Sequence, residues 1–246
     1  MKEYSKTYYL SAGECNPQAE LPLPLLMNRI IDVATMHANE WGVGYERLIA
    51  DNYAWVLARV TIEMERYPKV NENYTLTTWI EDYNHLFSQR NMAISDHNGE
   101  TIGYVRTIWM VINLSTRQSV DISQLSYIRD NINDRPCPIA PQSKLLPVKD
   151  GLARAHVFKY VDCDFNRHVN TVRYLELLLN QFSLEHFDDN FVNRLELAFL
   201  KETHYGETVD VYRKEDGQRW LMAISSNGVD HVRAGISFLP RNRTNE

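Results

Sequence analysis

The chain has 246 residues, 44% of them hydrophobic and 24% charged, and a formal net charge of −6. That composition supplies ample core for a soluble globular protein, and the acidic balance argues against nonspecific nucleic-acid binding as a main role. No apolar run approaches the ~20 residues needed to span a bilayer. The opening MKEYSKTYYLSAGE lacks the apolar stretch of a signal peptide, so a cytoplasmic location without membrane insertion is expected. Three cysteines (Cys15, Cys137 and Cys163) with no CxxC fit a reducing compartment and argue against structural zinc.

After a short strand-like start, LPLPLLMNRIIDVATMHANEWG (21–42) places Leu23, Leu26, Met27, Ile30, Ile31 and Ala34 at helical spacing, with Gly42 as a stop. Strand-like runs follow in WVLARVTIEMERYPKVNENYTLTTW (55–79). In NMAISDHNGETIGYVRTIWMVI (91–112), Asn98-Gly99 between two such runs signals a hairpin, because both residues tolerate positive φ. The stretch 131–150 carries Pro136, Pro138, Pro141 and Pro147 and no periodicity, the mark of a linker. We set a linker at 136–148 between an N-terminal domain, 1–135, and a C-terminal one, 149–246. A second helix is expected over 169–187, with Val172, Leu175, Leu178, Leu179 and Phe182 on one stripe. Tyr174 and Leu177 widen that stripe, which predicts deep burial. A second hairpin follows at Asn227-Gly228 in LMAISSNGVDHVRAGISFLP (221–240).

The order of these elements repeats, and so do residues. MAIS precedes both Asn-Gly turns, and Arg59, Arg66 and Glu72 match Arg194, Lys201 and Glu207 at one offset of 135 (194 − 59). Duplication explains both. Each half is then a short strand, a long central helix and an antiparallel meander: an α+β, tandem hot-dog fold. Two copies in one chain imitate a dimer, with the sheets joined edge to edge, which removes an exposed edge. The chain is expected to be a monomer as this internal pseudo-dimer, or a dimer of such chains.

The chemistry gathers in DCDFNRHVNTVRYLE (162–176). Its aspartates two apart suggest a calcium loop, but counting from Asp162 puts Arg167 at the sixth position and Arg173 at the twelfth. Glycine and a chelating glutamate belong there, so the loop is excluded. The cluster enters the second helix, where free N–H groups and the helix dipole favour an oxyanion. Asp164, Asn166 and His168 alternate, so in an extended stretch they share a face. Carboxylate, amide and imidazole together suit acyl-transfer chemistry; helix capping is the plainer use, for which one such residue suffices. The first-half counterpart is GECNPQAELP (13–22), with Cys15 under Cys163 and Asn16, Gln18 and Glu20 under Asp164, Asn166 and His168. This offset is 148 (163 − 15), and the segment GVGYERLIADNYA (42–54) supplies the extra length. Lacking the aspartate and histidine, the first half is left with substrate binding at most. Cys163 is expected to be a buried structural cysteine rather than a nucleophile. His37, His85, His97, His156, His186, His204 and His231 show no comparable surroundings, and no HxxxH or HExxH occurs, so no metal is expected.

These residues resemble a family. DCDFNRHVNTVRYLELLL is similar to the D-x-D-x-N-x-H-V-N-N-x-x-Y segment of acyl–acyl carrier protein (acyl-ACP) thioesterases, the plant plastid enzymes and their bacterial relatives. WVLARVTIEMERYPKV resembles the family's W-V-x-x-R…R-Y-P segment, and VRTIWMVINLSTRQSV its S-x-W-V-x-M-N…T-R-R stretch, so the likeness covers nearly the whole chain. FLKETHYGE (199–207) matches Y-R-R-E-C-G, which places the family's glutamate on Glu202 and puts Thr203 where its cysteine stands.

The resemblance implies a tandem hot-dog hydrolase that releases free fatty acid from acyl-ACP without a cofactor, with Asp164, Asn166, His168 and Glu202 catalytic. With no cysteine at 203, water is the nucleophile. Glu202 or Asp164 positions and deprotonates it, with His168 as the alternative base. Asn166 orients His168 or the carbonyl, and N–H groups opening the second helix receive the oxyanion. The leaving thiol, with a pKa of about 8.5, needs little help. The acyl chain is expected in the first domain around Met27 and Ile31. Arg167, Arg173 and Lys201 are expected to meet the acidic carrier. A coenzyme A thioesterase, or a non-catalytic acyl-binding protein, are the alternatives.

Overall fold

A computed structural model describes residues 2–124, 130–149, 151 and 154–241. The chain divides into two compact units, Met1–Gln142 and Ser143–Glu246. In the first, β1 (Glu3–Tyr9) leads through a 3-10 turn to helix α1 (Leu23–Glu40), then a short α2 (Tyr45–Ala50). Strands β2 (Tyr53–Met64), β3 (Asn73–Tyr83), β4 (Ser88–Ser95) and β5 (Thr101–Asn113) follow. They pair antiparallel in the order β1-β3-β4-β5-β2. Helix α1 starts with Pro24 in its first turn, where a missing N–H costs nothing. It buries Leu23, Leu26, Met27, Ile30, Val33, Ala34, His37 and Ala38, which is the face its periodicity predicts save for Ile31, which is half-buried. The extra segment at 42–54 is α2, its flanking turns and the first two residues of β2.

The second unit repeats the plan with β6 (Arg154–Val157), α3 (Thr171–Leu179), α4 (Leu184–Asp189), β7 (Asn190–Phe199), β8 (Thr208–Asp216), β9 (Arg219–Ser226) and β10 (Val229–Pro240). Its strands run β6-β8-β9-β10-β7, the same topology. Even the irregularities repeat: β2 slips register between Leu57 and Arg59, and β7 between Val192 and Arg194. The Asn-Gly turns are not alike, however. Asn227 and Gly228 both take positive φ (51° and 76°), as the tightest hairpin turn demands, while at the first turn only Gly99 does (82°).

The second helix is shorter than its sequence period predicts. It stops at Leu179, and the hydroxyl of Ser183 accepts the N–H of His186 to start α4 afresh. Phe182 therefore leaves the stripe and packs edge-on to Trp220 and Phe238, at 5.5 and 5.0 Å between ring centroids.

The proline-rich stretch is not a free tether. In the first unit, Cys137 and Ile139 pack on Trp79 and Ala93, and Arg106 donates to the carbonyls of both Cys137 and Ile139 at 2.8 Å. In the second, Leu145 and Val148 pack with Ala198, Leu221 and Ala223, while the N–H of Ser143 donates to Glu196 at 2.9 Å. The first unit also buries a cation. Arg90 of β4 lies against His37 Nδ1 at 2.9 Å and Thr78 Oγ1 at 3.2 Å, and burial pushes its pKa down to about 9.

Candidate active site

The polar loop before α3 has a twin before α1, and the two backbones share most of their bonds; Asn170 N–H also donates to Asp162 O at 2.8 Å, where the twin has Pro22 and no N–H. A 3-10 turn, Tyr160–Asp162, is closed by Asp162 accepting Lys159 N–H at 2.7 Å; its twin, Ala12–Glu14, is closed by Glu14 accepting Ser11 N–H at 3.1 Å. Each turn ends on a cysteine whose Sγ points back at the carbonyl four residues earlier, Cys163 to Lys159 at 3.6 Å and Cys15 to Ser11 at 3.4 Å. Asp164 Oδ1 then accepts the N–H groups of Asn166 (2.8 Å) and His168 (3.3 Å). Asn16 Oδ1 accepts those of Gln18 (3.1 Å) and Glu20 (2.9 Å). Arg167 and Ala19 both sit at positive φ, 65° and 58°.

This geometry corrects two sequence expectations. The stretch is a tight turn rather than an extended segment, so Asp164, Asn166 and His168 do not share a face by alternation. Asp164 points an oxygen at its own backbone because two N–H groups would otherwise go unpaired there. Cys163 is half-buried rather than buried, and its thiol is engaged with Lys159.

The loop is held against the turn after β7. Val169 N–H donates to Thr203 O at 2.9 Å, and His168 pairs with His204 as an isolated antiparallel bridge. Across this bridge His168 Nε2 lies 3.5 Å from Glu202 Oε2, with the side chains 23% and 41% exposed. The His204 ring meets the His168 ring edge-on at 4.9 Å. The first unit brings Glu20 against Lys69 at the same bridge, and Tyr67 stands where Glu202 does. An imidazole beside a carboxylate, open to solvent, can take up and return a proton. The helix N-terminus contributes less than its position promises, because Asn170 caps it. Its Oδ1 takes Val172 N–H and its carbonyl takes Arg173 N–H, both at 2.9 Å.

Comparison with known proteins fits this arrangement. Residues 1–127 match the acyl-ACP thioesterase N-terminal domain, and residues 147–240 match the acyl-ACP thioesterase C-terminal domain. The chain belongs to the acyl-ACP thioesterase family. The crystal structure of an acyl-ACP thioesterase from Bacteroides thetaiotaomicron is similar with a TM-score of 0.89 at 30% identity, covering 97% of this chain and 98% of that one. The 12:0-ACP thioesterase from Umbellularia californica shares the fold, with a TM-score of 0.86, 18% identity and 98% coverage of both chains. An acyl-ACP hydrolase of Cuphea viscosissima, named as chloroplastic, is 24% identical over 265 residues, covering 97% of this chain and 63% of its own length. A palmitoyl-ACP thioesterase of Gossypium hirsutum, also named as chloroplastic, is 24% identical over 216 residues, or 81% of this chain and 52% of its own. The chain thus spans 63% and 52% of the length of these two curated relatives. The fold of the family, shared here, is the tandem hot-dog.

The other expected site residues are scattered in their surroundings. Arg167 and Lys201 are exposed beside the site, whereas Arg173 pairs with Glu176 one turn on at 2.7 Å. Asn166 is exposed at the turn's tip. Met27 is fully buried in α1, and Ile31 one turn on is half-buried. Two residues passed over in the sequence lie beside the pair: His204, at the bridge, and His231, fully buried, whose Nδ1 is 2.6 Å from Thr203 Oγ1. Burial drives the His231 pKa down, against the opposing pull of Glu207. The earlier expectation that neither histidine has comparable surroundings is therefore corrected. Sequence distance hid them, since only strand pairing brings β10 and the turn after β7 to the loop.

Proposed function

We propose that this protein hydrolyses the thioester of fatty acyl-ACP and releases free fatty acid, acting in the cytoplasm within fatty acid biosynthesis. The observation that carries the reading is the His168–Glu202 pair. His168 stands on a loop whose twin in the first unit keeps the same 3-10 turn and the same two N–H bonds to a side-chain oxygen, but Glu20 and Tyr67 stand there in place of His168 and Glu202. Water beside the pair gives its proton to the pair as its oxygen attacks the acyl carbon. The tetrahedral intermediate collapses, the carbon–sulfur bond breaks, and the proton passes to the departing thiolate. The side-chain amide of Asn166 donates to the carbonyl oxygen as it gains charge, because the N–H groups of Val172 and Arg173 in the first turn of α3 are already bonded. Asp164 shapes the loop that presents His168. The acyl chain lies in the first unit, along α1 around Met27 and Ile31.

The carrier as partner is supported by what surrounds the pair. Tyr160, Val161, Phe165, Leu200 and Tyr205 are exposed there, where the first unit has Ala12, Gly13, Pro17, Glu65 and Val70. The backbone does not need these apolar groups, and a docked protein surface does. Lys159, Arg167 and Lys201 are exposed around them. Asp162, Asp164 and Glu207 are turned onto backbone N–H groups of their own loops, which leaves the rim to the cations.

The test is one acyl group presented on ACP and on coenzyme A, over a series of chain lengths, with free acid measured. We expect ACP to be preferred and His168→Ala to lose about 10²-fold or more. Preference for the coenzyme A thioester would overturn the carrier assignment. Tight acyl-ACP binding without turnover would replace the hydrolase with a binding protein.

A further inference from the structure

At three buried positions behind the His168–Glu202 pair the two units differ in one direction. The first unit holds Leu26, Pro68 and Ile102; the second holds Tyr174, Thr203 and His231; all six are buried. The backbone fixes the correspondence. Leu26 and Tyr174 are each the fourth residue of their helix, α1 from Leu23 and α3 from Thr171. Pro68 O accepts Leu21 N–H and Thr203 O accepts Val169 N–H, both at 2.9 Å. Ile102 O accepts Glu65 N–H at 2.9 Å and His231 O accepts Leu200 N–H at 2.8 Å, and each is the residue skipped at a register shift of its hairpin.

The polar set is bonded to itself. Proline at 68 has no N–H to satisfy, but Thr203 has one, buried, and it donates to Tyr174 Oη at 3.1 Å. Thr203 Oγ1 and His231 Nδ1 are 2.6 Å apart, and His231 Nε2 is 3.6 Å from Glu207 Oε1. Burying a hydroxyl, a phenol and an imidazole carries a desolvation cost that leucine, proline and isoleucine do not. The first unit makes the same backbone without that cost, so the fold does not require the set.

The set borders Glu202 along the chain. On one side of it, Lys201 N–H donates to the backbone carbonyl of His231 at 3.2 Å; on the other, the N–H and carbonyl of Thr203 are tied to Tyr174 and Val169. The 2.6 Å Thr203 Oγ1–His231 Nδ1 contact joins the two sides through their side chains. We propose that Tyr174, Thr203 and His231 are positioning residues for the proposed hydrolysis: they fix the chain on either side of Glu202 and so hold its carboxylate at His168. This rests on the hydrolase reading given above.

The test is the double substitution Thr203→Val/His231→Ile, with Thr203→Ser as the conservative control and wild type and His168→Ala alongside. Replacing both bonded partners by apolar groups is close to neutral for stability, so Tm stays at or above the wild-type value. The kcat falls about 10- to 100-fold while KM stays within about 2-fold, since a misplaced base weakens the transition state and leaves binding intact. Thr203→Ser keeps kcat within about 3-fold. Wild-type kcat in the stably folded double variant overturns the proposal. So does a drop in Tm with activity lost only in proportion to unfolding, which is what a packing role gives. If the double variant does not fold, Thr203→Val is read the same way, and full kcat in it overturns the proposal. A wild type inactive on every acyl-ACP would sink the hydrolase reading instead, and His168→Ala without effect would do the same.

Discussion

Asp164→Asn separates the shape of the polar loop from its charge. Asp164 Oδ1 holds the N–H groups of Asn166 and His168 at 2.8 and 3.3 Å, and Asn16 Oδ1 holds the equivalent pair at 3.1 and 2.9 Å. A carboxamide therefore builds this turn in the same molecule. Hydrogen bonds to a charged acceptor contribute about 1.5–3 kcal/mol and neutral ones about 0.5–1.5. With a half-buried acceptor and one long bond, the low ends apply. Asp164→Ala then costs about 3 kcal/mol and Asp164→Asn about 2 kcal/mol, or roughly 6–12 °C against 4–8 °C in Tm. Alanine also frees the backbone that aims His168 at Glu202, so turnover on acyl-ACP falls about 10²-fold or more. Asparagine keeps that aim, and turnover stays within about 10-fold. The assay is free fatty acid release under saturating substrate, with Tm measured on the same samples. An asparagine variant that is folded, yet as inactive as the alanine variant, would show that the charge itself takes part in the chemistry.

Cys163→Ala should keep turnover within a few-fold, because its thiol is committed to the Lys159 carbonyl; a folded but dead variant would restore a cysteine nucleophile. Met27→Trp should shift preference toward shorter acyl chains, since overfilling a buried site excludes the longest ligand first; an unchanged chain-length profile at intact Tm places the chain elsewhere. Raising salt should lower kcat/KM for acyl-ACP but not for the same acyl group on a small neutral thiol, as exposed charges are screened over about 8 Å. Arg167→Glu/Lys201→Glu should mimic high salt, and Arg173→Glu less so because Glu176 already neutralises that arginine. Burial depresses the pKa of both His231 and His186, so below about pH 6.5 the unfolded chain binds protons that the folded one refuses. Stability is then full above that pH and falls as pH drops from 6.5 toward 5; denaturant midpoints across this range should show it, and His231→Ile should flatten the slope.

The duplication was legible because paired residues keep their spacing along strands: Arg59 with Arg194 and Glu72 with Glu207 sit at matched points of matched strands and turns. The first helix was legible because one buried face fixes its period. The second was misjudged because Phe182 continues the apolar stripe in sequence, while its partners Trp220 and Phe238 are strands away. In the polar loop the residue types were informative and their geometry was not. Alternation implies an extended chain, and nothing in the letters announces that Arg167 takes a positive φ. The buried set was invisible for a related reason. A histidine is weighed by its sequence neighbours, and those of His231 are ordinary strand residues.

A proline-rich stretch between two repeats invites anyone who wants the halves separately to cut there, and most of its bonds are the wrong ones. A fragment ending at Arg135 would strip Cys137 and Ile139 from Trp79 and leave the Arg106 guanidinium without the two carbonyls it grips. One beginning at Lys149 would uncover Leu221 and Ala223 and take Ser143 from Glu196. The packing changes hands at a single peptide bond, Gln142–Ser143. A cut at that bond leaves each half its own strap.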